Sequence, residues 1–153
     1  MRIEVTGTLP RGCGLTRRDL ESAARSFAEA SRNRLGAGAP VWHEVAVHLV
    51  RDGVSDAMHR AIMGIAGATD VITQAYDSIP PEPAGLFGEL FVNLDQAERA
   101  APKRDGWSVA KEILLYVAHG MDHLSGADDF EPADRARMRR RELRWIRAVS
   151  FLN

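Results

Sequence analysis

The sequence predicts an α+β fold: a single domain over residues 1–153, with a mixed sheet of about four strands packed with helices around a buried central helix. Three observations carry this expectation. Strand-like and helix-like segments follow one another without the strict alternation of a doubly wound sheet. The run from Trp107 to Met121 holds Val109, Ala110, Ile113, Leu114, Leu115, Tyr116, Val117 and Ala118 with few polar interruptions, the pattern of a helix buried on nearly all sides. Finally, 153 residues with 45% hydrophobic and 27% charged content suit one domain with a real core, and no repeat, low-complexity tract or linker divides them.

Taken in order, Arg2 to Gly7 alternates weakly and predicts a first strand, followed by a turn region from Leu9 to Gly14 around Pro10, Gly12 and Gly14. Thr16 with Asp19 fits a capping pattern. Leu20, Ala23, Ala24, Phe27, Ser31 and Leu35 then recur at helical spacing, so the first helix runs to near Gly36. Glu44 to Val50 alternates as a second strand. His43 and His48 lack an acidic or His neighbour at ligand spacing and read as solvated or core histidines. Asp52-Gly53 reads as a turn, and Ser55 as the cap of a short helix through Met63 that Gly64 and Gly67 end.

Thr69 to Ala75 predicts a third strand and Gly88 to Leu94 a fourth. Between them, Tyr76 to Phe87 reads as a loop, because Pro80, Pro81 and Pro83 cannot donate to a ladder. Asp95 to Ala101 forms a short helix, and the central helix follows, capped by Ser108 or Asp105. The last helix, Pro132 to Val149, puts Met138, Trp145, Ile146 and Val149 on one side and Arg137, Arg140, Arg141, Arg144 and Arg147 on the other.

The chemistry gathers at the end of the central helix, in His119-Gly-Met-Asp-His123-Leu-Ser-Gly126-Ala-Asp128-Asp129. Residues four apart share a helix face, so both imidazoles project together. Gly126 suits the left-handed residue that ends a helix, and Asp129 can then fold back as a third ligand. Two imidazoles and a carboxylate leave a metal ion with an open position for water. The competing reading is an accidental His pair, with Asp128 or Asp129 merely capping the next helix.

Charge narrows the partners. Twenty Lys and Arg against 21 Asp and Glu predict no general attraction to nucleic acid. From Glu131 onward the net charge is nevertheless +4, against −5 for the remainder. The arginine side of the last helix is either a solvated face or a phosphate-contacting stripe of Arg137, Arg140, Arg141 and Arg144. Cys13 is the only cysteine, which excludes an internal disulfide and a Cys-rich zinc site. The amino terminus lacks the apolar core of a signal peptide, and no run is long and apolar enough to span a bilayer. A cytoplasmic location without a membrane partner is the expectation.

The central motif, taken with Thr69-Asp70-Val71, Gly88-Glu89-Leu90 and Met138-x3-Glu142-x3-Ile146, resembles the YbeY family of metal-dependent endoribonucleases of ribosomal RNA maturation. The resemblance covers roughly residues 41 to 150. That family's motif runs His-Gly-x-x-His-x-x-Gly-x-Asp-His, and this chain matches it at His119, Gly120, His123, Gly126 and Asp128. The resemblance implies hydrolysis of single-stranded RNA, one divalent metal ion with zinc expected, ribosomal RNA, bare or on a ribosomal subunit, as partner, and no action on DNA. Asp128 is expected behind the ligands, holding an imidazole through its other nitrogen, or else capping the last helix.

Three departures stand out. The family's third histidine falls on Asp129, a carboxylate that also suits harder ions or iron. The family's functionally important arginine aligns on Met63, and Arg60, one turn earlier, could reach the same space as a catalytic cation. Ser-Phe-Pro after Thr-Asp-Val is replaced by Thr73, Gln74 and Ala75. A metalloprotease would carry a glutamate directly after its first motif histidine, where this chain has Gly120. An iron oxygenase shares the ligand types without any sign of a cosubstrate site. The reading from another class is a ribosome- or RNA-binding factor that keeps the fold and metal with weak or no nuclease activity. A purely structural metal is the third.

Overall fold

In-out alternation of apolar residues builds the sheet. The computed structural model describes residues 1–78, 81 and 84–149. Strands β1 (Arg2–Thr6), β2 (Trp42–Val50), β3 (Val71–Asp77) and β4 (Leu86–Asn93) lie in the order β1-β2-β4-β3. The pairs β1 with β2 and β2 with β4 are parallel, while β3 runs antiparallel to β4 at the edge, so the sheet is mixed as expected. Ile3 and Val5, Val45, Val47 and Leu49, and Leu90 and Val92 bury one face of it.

Among the described residues five α-helices accompany the sheet: α1 (Arg17–Leu35), α2 (Asp52–Met63), α3 (Leu94–Ala100), α4 (Val109–Leu124) and α5 (Pro132–Arg147). Thr16 and Asp19 form the expected capping box of α1. Helix α4 is the predicted central helix, buried from Ile113 through Ala118, and Ser108 caps it by accepting from the Lys111 N–H. It packs against α1, α5, β3 and β4. Gly120 makes the closest approach, since a Cβ there would stand 2.5 Å from Leu90 Cδ2 and 3.3 Å from Thr73 Cγ2. The glycine in the His-Gly pair is therefore a packing requirement: it lets the helix lie hard on β4.

Some boundaries differ from expectation, each for a tertiary reason. Helix α2 begins at Asp52, so Asp52-Gly53 is its first turn. The Asp52 N–H donates to the Asp95 carboxylate of α3 at 2.9 Å, so a distant residue supplies the cap that no neighbour in sequence does. Ser55 lies inside the helix instead and exchanges hydrogen bonds with the Thr69 backbone, both at 3.1 Å. Strand β3 continues through Tyr76 and Asp77, and β4 starts at Leu86, because Tyr76 pairs with Phe87 across the ladder and stacks on its ring. Of the prolines read into that loop, Pro81 occupies a turn, whereas Pro80 and Pro83 lie outside the described residues. Strand β4 stops at Asn93, whose side chain accepts from the Asp95 and Gln96 N–H groups and so starts α3 at Leu94. Among the described residues, no helix is long and apolar enough to cross a membrane.

Candidate metal centre

His119 and His123 leave the last two turns of α4 on one face, with their Nε2 atoms 3.0 Å apart. Ser125 closes the helix, and Gly126 takes a φ of 99°, where a side chain would be strained. The Gly126 N–H returns to the His123 carbonyl at 2.9 Å and the Ala127 N–H to the Asp122 carbonyl at 3.2 Å. This tight return brings Asp129 back over the helix end. Its Oδ2 stands 3.6 Å from His119 Nε2 and 3.7 Å from His123 Nε2.

Each imidazole is anchored through its other nitrogen. His119 Nδ1 donates to Glu142 Oε1 on α5 at 2.6 Å, and His123 Nδ1 donates to the Ala127 carbonyl at 3.0 Å. With both rings neutral, each Nε2 carries a lone pair facing the other imidazole and a carboxylate oxygen. Three acceptors so close repel unless a cation lies between them. Ligands about 2.0–2.1 Å from a tetrahedral zinc stand about 3.3 Å from one another, which is close to the spacing here. The donor set therefore fits a divalent ion, and His119, His123 and Asp129 form the group able to hold one among the described residues.

Electrostatics agree with that fit. Burial presses the His119 pKa down, but the hydrogen bond to Glu142, reinforced by the charges of Glu142, Asp70 and Asp129, outweighs it and leaves the value raised. The pocket is thus prepared for positive charge. Only 18% of the His119 side chain and 26% of the His123 side chain meet solvent, against 37% for Asp129, so access comes from the Asp129 side.

Glu142 was not singled out for a role in the sequence. Its carboxylate is fully buried, with Oε1 on His119 and Oε2 lacking any hydrogen-bond partner. The signal was present: in Met138-x3-Glu142-x3-Ile146 an acid sits between two apolar residues one turn away on each side, on the buried face of the helix. Asp128, expected to hold an imidazole or cap α5, does neither. It is exposed, and α5 starts at Pro132 with no side-chain cap, because the short Gly126-Ala127 return spends its carbonyl, not a carboxylate, on His123.

A family model described as Endoribonuclease YbeY matches residues 12–150. Among relatives of that name, one from Anaeromyxobacter sp. (strain Fw109-5) is 35% identical over 152 residues, covering 99% of this chain and 74% of its own length. The chain belongs to the YbeY endoribonuclease family. A second YbeY relative, from Rhodopirellula baltica, is 31% identical over 133 residues, covering 86% of this chain and 67% of its own. A solution structure from Thermotoga maritima shares the fold, with a TM-score of 0.57 at 24% identity over 96% of this chain and 88% of that one.

Within this YbeY chain the expected cations are spread out. Arg60 lies near the exposed end of α2 and is drawn to Asp56 at 3.0 Å, one turn back, while Met63 is exposed beyond it. Arg137 pairs with Asp134, and Arg140 and Arg144 are exposed. Winding α5 at about 100° per residue sets Arg137, Arg140 and Arg144 roughly opposite Glu142, on the side away from the metal centre. Arg141 leaves the stripe altogether: only 13% of its side chain is exposed, and its guanidinium grips the buried Asp122 carboxylate at 2.9 Å. Burial of Asp122 demands that partner. The cations on the metal side of α5 are ones the sequence did not single out. Arg135 donates to the Asp129 and Phe130 carbonyls, and Arg139 stands 3.9 Å from Glu142.

Proposed function

We propose that this protein is a metal-dependent endoribonuclease that cleaves single-stranded RNA during ribosomal RNA processing, with zinc as its ion. The observation that carries this reading is the convergence of two anchored Nε2 lone pairs and Asp129 Oδ2 on one half-open point in a chain of an endoribonuclease family. A zinc ion held by His119, His123 and Asp129 would activate water near neutral pH and polarise a phosphoryl oxygen. Glu142 and the Ala127 carbonyl fix which imidazole nitrogen faces that point. Arg135 and Arg139, on the side of α5 that carries Glu142, would steady a phosphodiester, and Arg60 is the candidate cation for charge that develops in the transition state. Arg137, Arg140 and Arg144 would hold backbone further along the strand, with Arg141 withdrawn from that role. Ribosomal RNA in the cytoplasm, bare or on a ribosomal subunit, is the proposed target, and DNA is not.

The test joins metal content to cleavage. Untagged protein is expected to hold about one equivalent of zinc and to cut an unpaired oligoribonucleotide but not its DNA counterpart. His123→Ala and Asp129→Ala are each expected to lose both metal and cleavage. Arg60→Ala should keep the metal and lose cleavage. A wild-type protein that holds the metal and binds RNA without cutting it would overturn the nuclease reading in favour of a binding factor. Unfolding of the domain on metal removal would favour a purely structural ion.

A further inference from the structure

Phe130 directly follows the ligand Asp129 and is 84% exposed, the most exposed of the large hydrophobic side chains among the described residues. Its position is not that of a loose loop tip. Arg135, one turn into α5, donates to the Asp129 carbonyl at 3.0 Å and the Phe130 carbonyl at 3.2 Å, so the backbone carrying the ring is tied to the helix. The Tyr-Phe pair on the sheet, Tyr76 and Phe87, stacks on itself. Among the described residues the Phe130 ring has no ring partner, and it faces solvent. Phe130 follows Asp129 directly in the chain, so its Cα stands about 3.8 Å from that of a residue of the metal centre.

We propose that Phe130 is a base-stacking residue that seats an unpaired nucleobase of the RNA substrate beside His119, His123 and Asp129. The inference rests on the nuclease reading above and names what that site takes: a strand with a free base face next to the scissile phosphate. A flat ring is sequence-tolerant, because every base has a π-face. It also discriminates against duplex, whose bases are already stacked on each other. The pinned carbonyls hold the backbone from which the ring projects, so the ring acts on positioning of substrate and leaves the ligand set untouched.

The experiment compares wild type, Phe130→Ala and Phe130→Trp. Anisotropy of a fluorescein-labelled unpaired oligoribonucleotide, read on mixing before cleavage proceeds, gives binding to the zinc-loaded protein, and steady-state cleavage gives KM and kcat. Phe130→Ala is expected to weaken binding and raise KM about tenfold, with metal content unchanged, while Phe130→Trp restores both values. Binding of a fully paired hairpin should be equal in all three. If the wild type cleaves and Phe130→Ala has the same KM and affinity, the stacking proposal falls and the nuclease reading stands. Equal losses in the Ala and Trp variants would also overturn stacking, since an indole stacks at least as well. A wild type that holds zinc but neither binds nor cuts the unpaired strand overturns the nuclease reading, and this proposal with it.

Discussion

Single side chains decide how well the metal centre is held. Glu142 is buried with no hydrogen bond to its second oxygen, a costly arrangement that the hydrogen bond to His119 and the Arg139 charge 3.9 Å away offset. Glu142→Ala frees the imidazole to rotate and to change tautomer, so zinc affinity is expected to fall about 10- to 100-fold, measured by competition with a metallochromic chelator. Unchanged affinity would mean that α4 alone orients the ring. Gly120 acts by being small. A methyl group there meets Leu90 Cδ2 at 2.5 Å and Cγ at 2.8 Å, and Leu90 is itself fully buried, so either its side chain or α4 must shift. Gly120→Ala should therefore cost about 1–3 kcal/mol in urea unfolding, and the shift of α4 away from β4 should loosen the metal as well.

Between elements, polar junctions do what sequence neighbours do not. Asp52 at the start of α2 binds Arg99 of α3 and the Asn93 side chain, while Asp95 accepts the Asp52 N–H. The Arg99 guanidinium, and after it the Asn93 amide, hold the Asp52 carboxyl at about 2, below its ordinary 3.8. A carboxyl with a lowered folded pKa stabilises the fold above its ordinary value, and that contribution is lost as pH falls through the folded value. Asp56 and Asp95 are lowered too, by backbone hydrogen bonds from Gly67 and Asp52 first and by Arg60 and Arg51 next. Stability is therefore expected to decline from about pH 4 toward about pH 2. Arg99→Ala should flatten that decline in acid-titrated thermal melts. An unchanged profile would show that the junction does not form in solution.

Across the whole molecule, one buried ion pair joins three helices. Asp122 of α4 is fully buried, Arg141 of α5 binds both its oxygens, and Arg34 of α1 stands 3.8 Å away. Burial raises the Asp122 pKa, and the two arginines oppose it. Removing Arg141 leaves a buried carboxylate with only a distant partner. Arg141→Ala should destabilise the protein by about 3 kcal/mol in denaturant titration. Its affinity for unpaired RNA should not change, in contrast to Arg140→Ala or Arg144→Ala. A loss of RNA affinity without loss of stability would return Arg141 to the phosphate stripe.

The sequence by itself determined whatever depends on neighbours along the chain. The 3.6-residue period placed α1, α4 and α5, the alternation placed the four strands, and the four-residue spacing aligned His119 with His123, because backbone geometry converts short separations into shared faces. Gly126 announced the return that brings Asp129 back. Only the tertiary structure decided which groups meet across long separations. Glu142, 23 residues from His119, holds its imidazole where Asp128 was expected to act. Arg141, 19 residues from Asp122, turns inward and not toward RNA. Asp95, 43 residues from Asp52, caps α2 and moves its start. Such pairings follow from how α4, α5 and the sheet pack, and packing is a property of the assembled core that no short window of sequence contains.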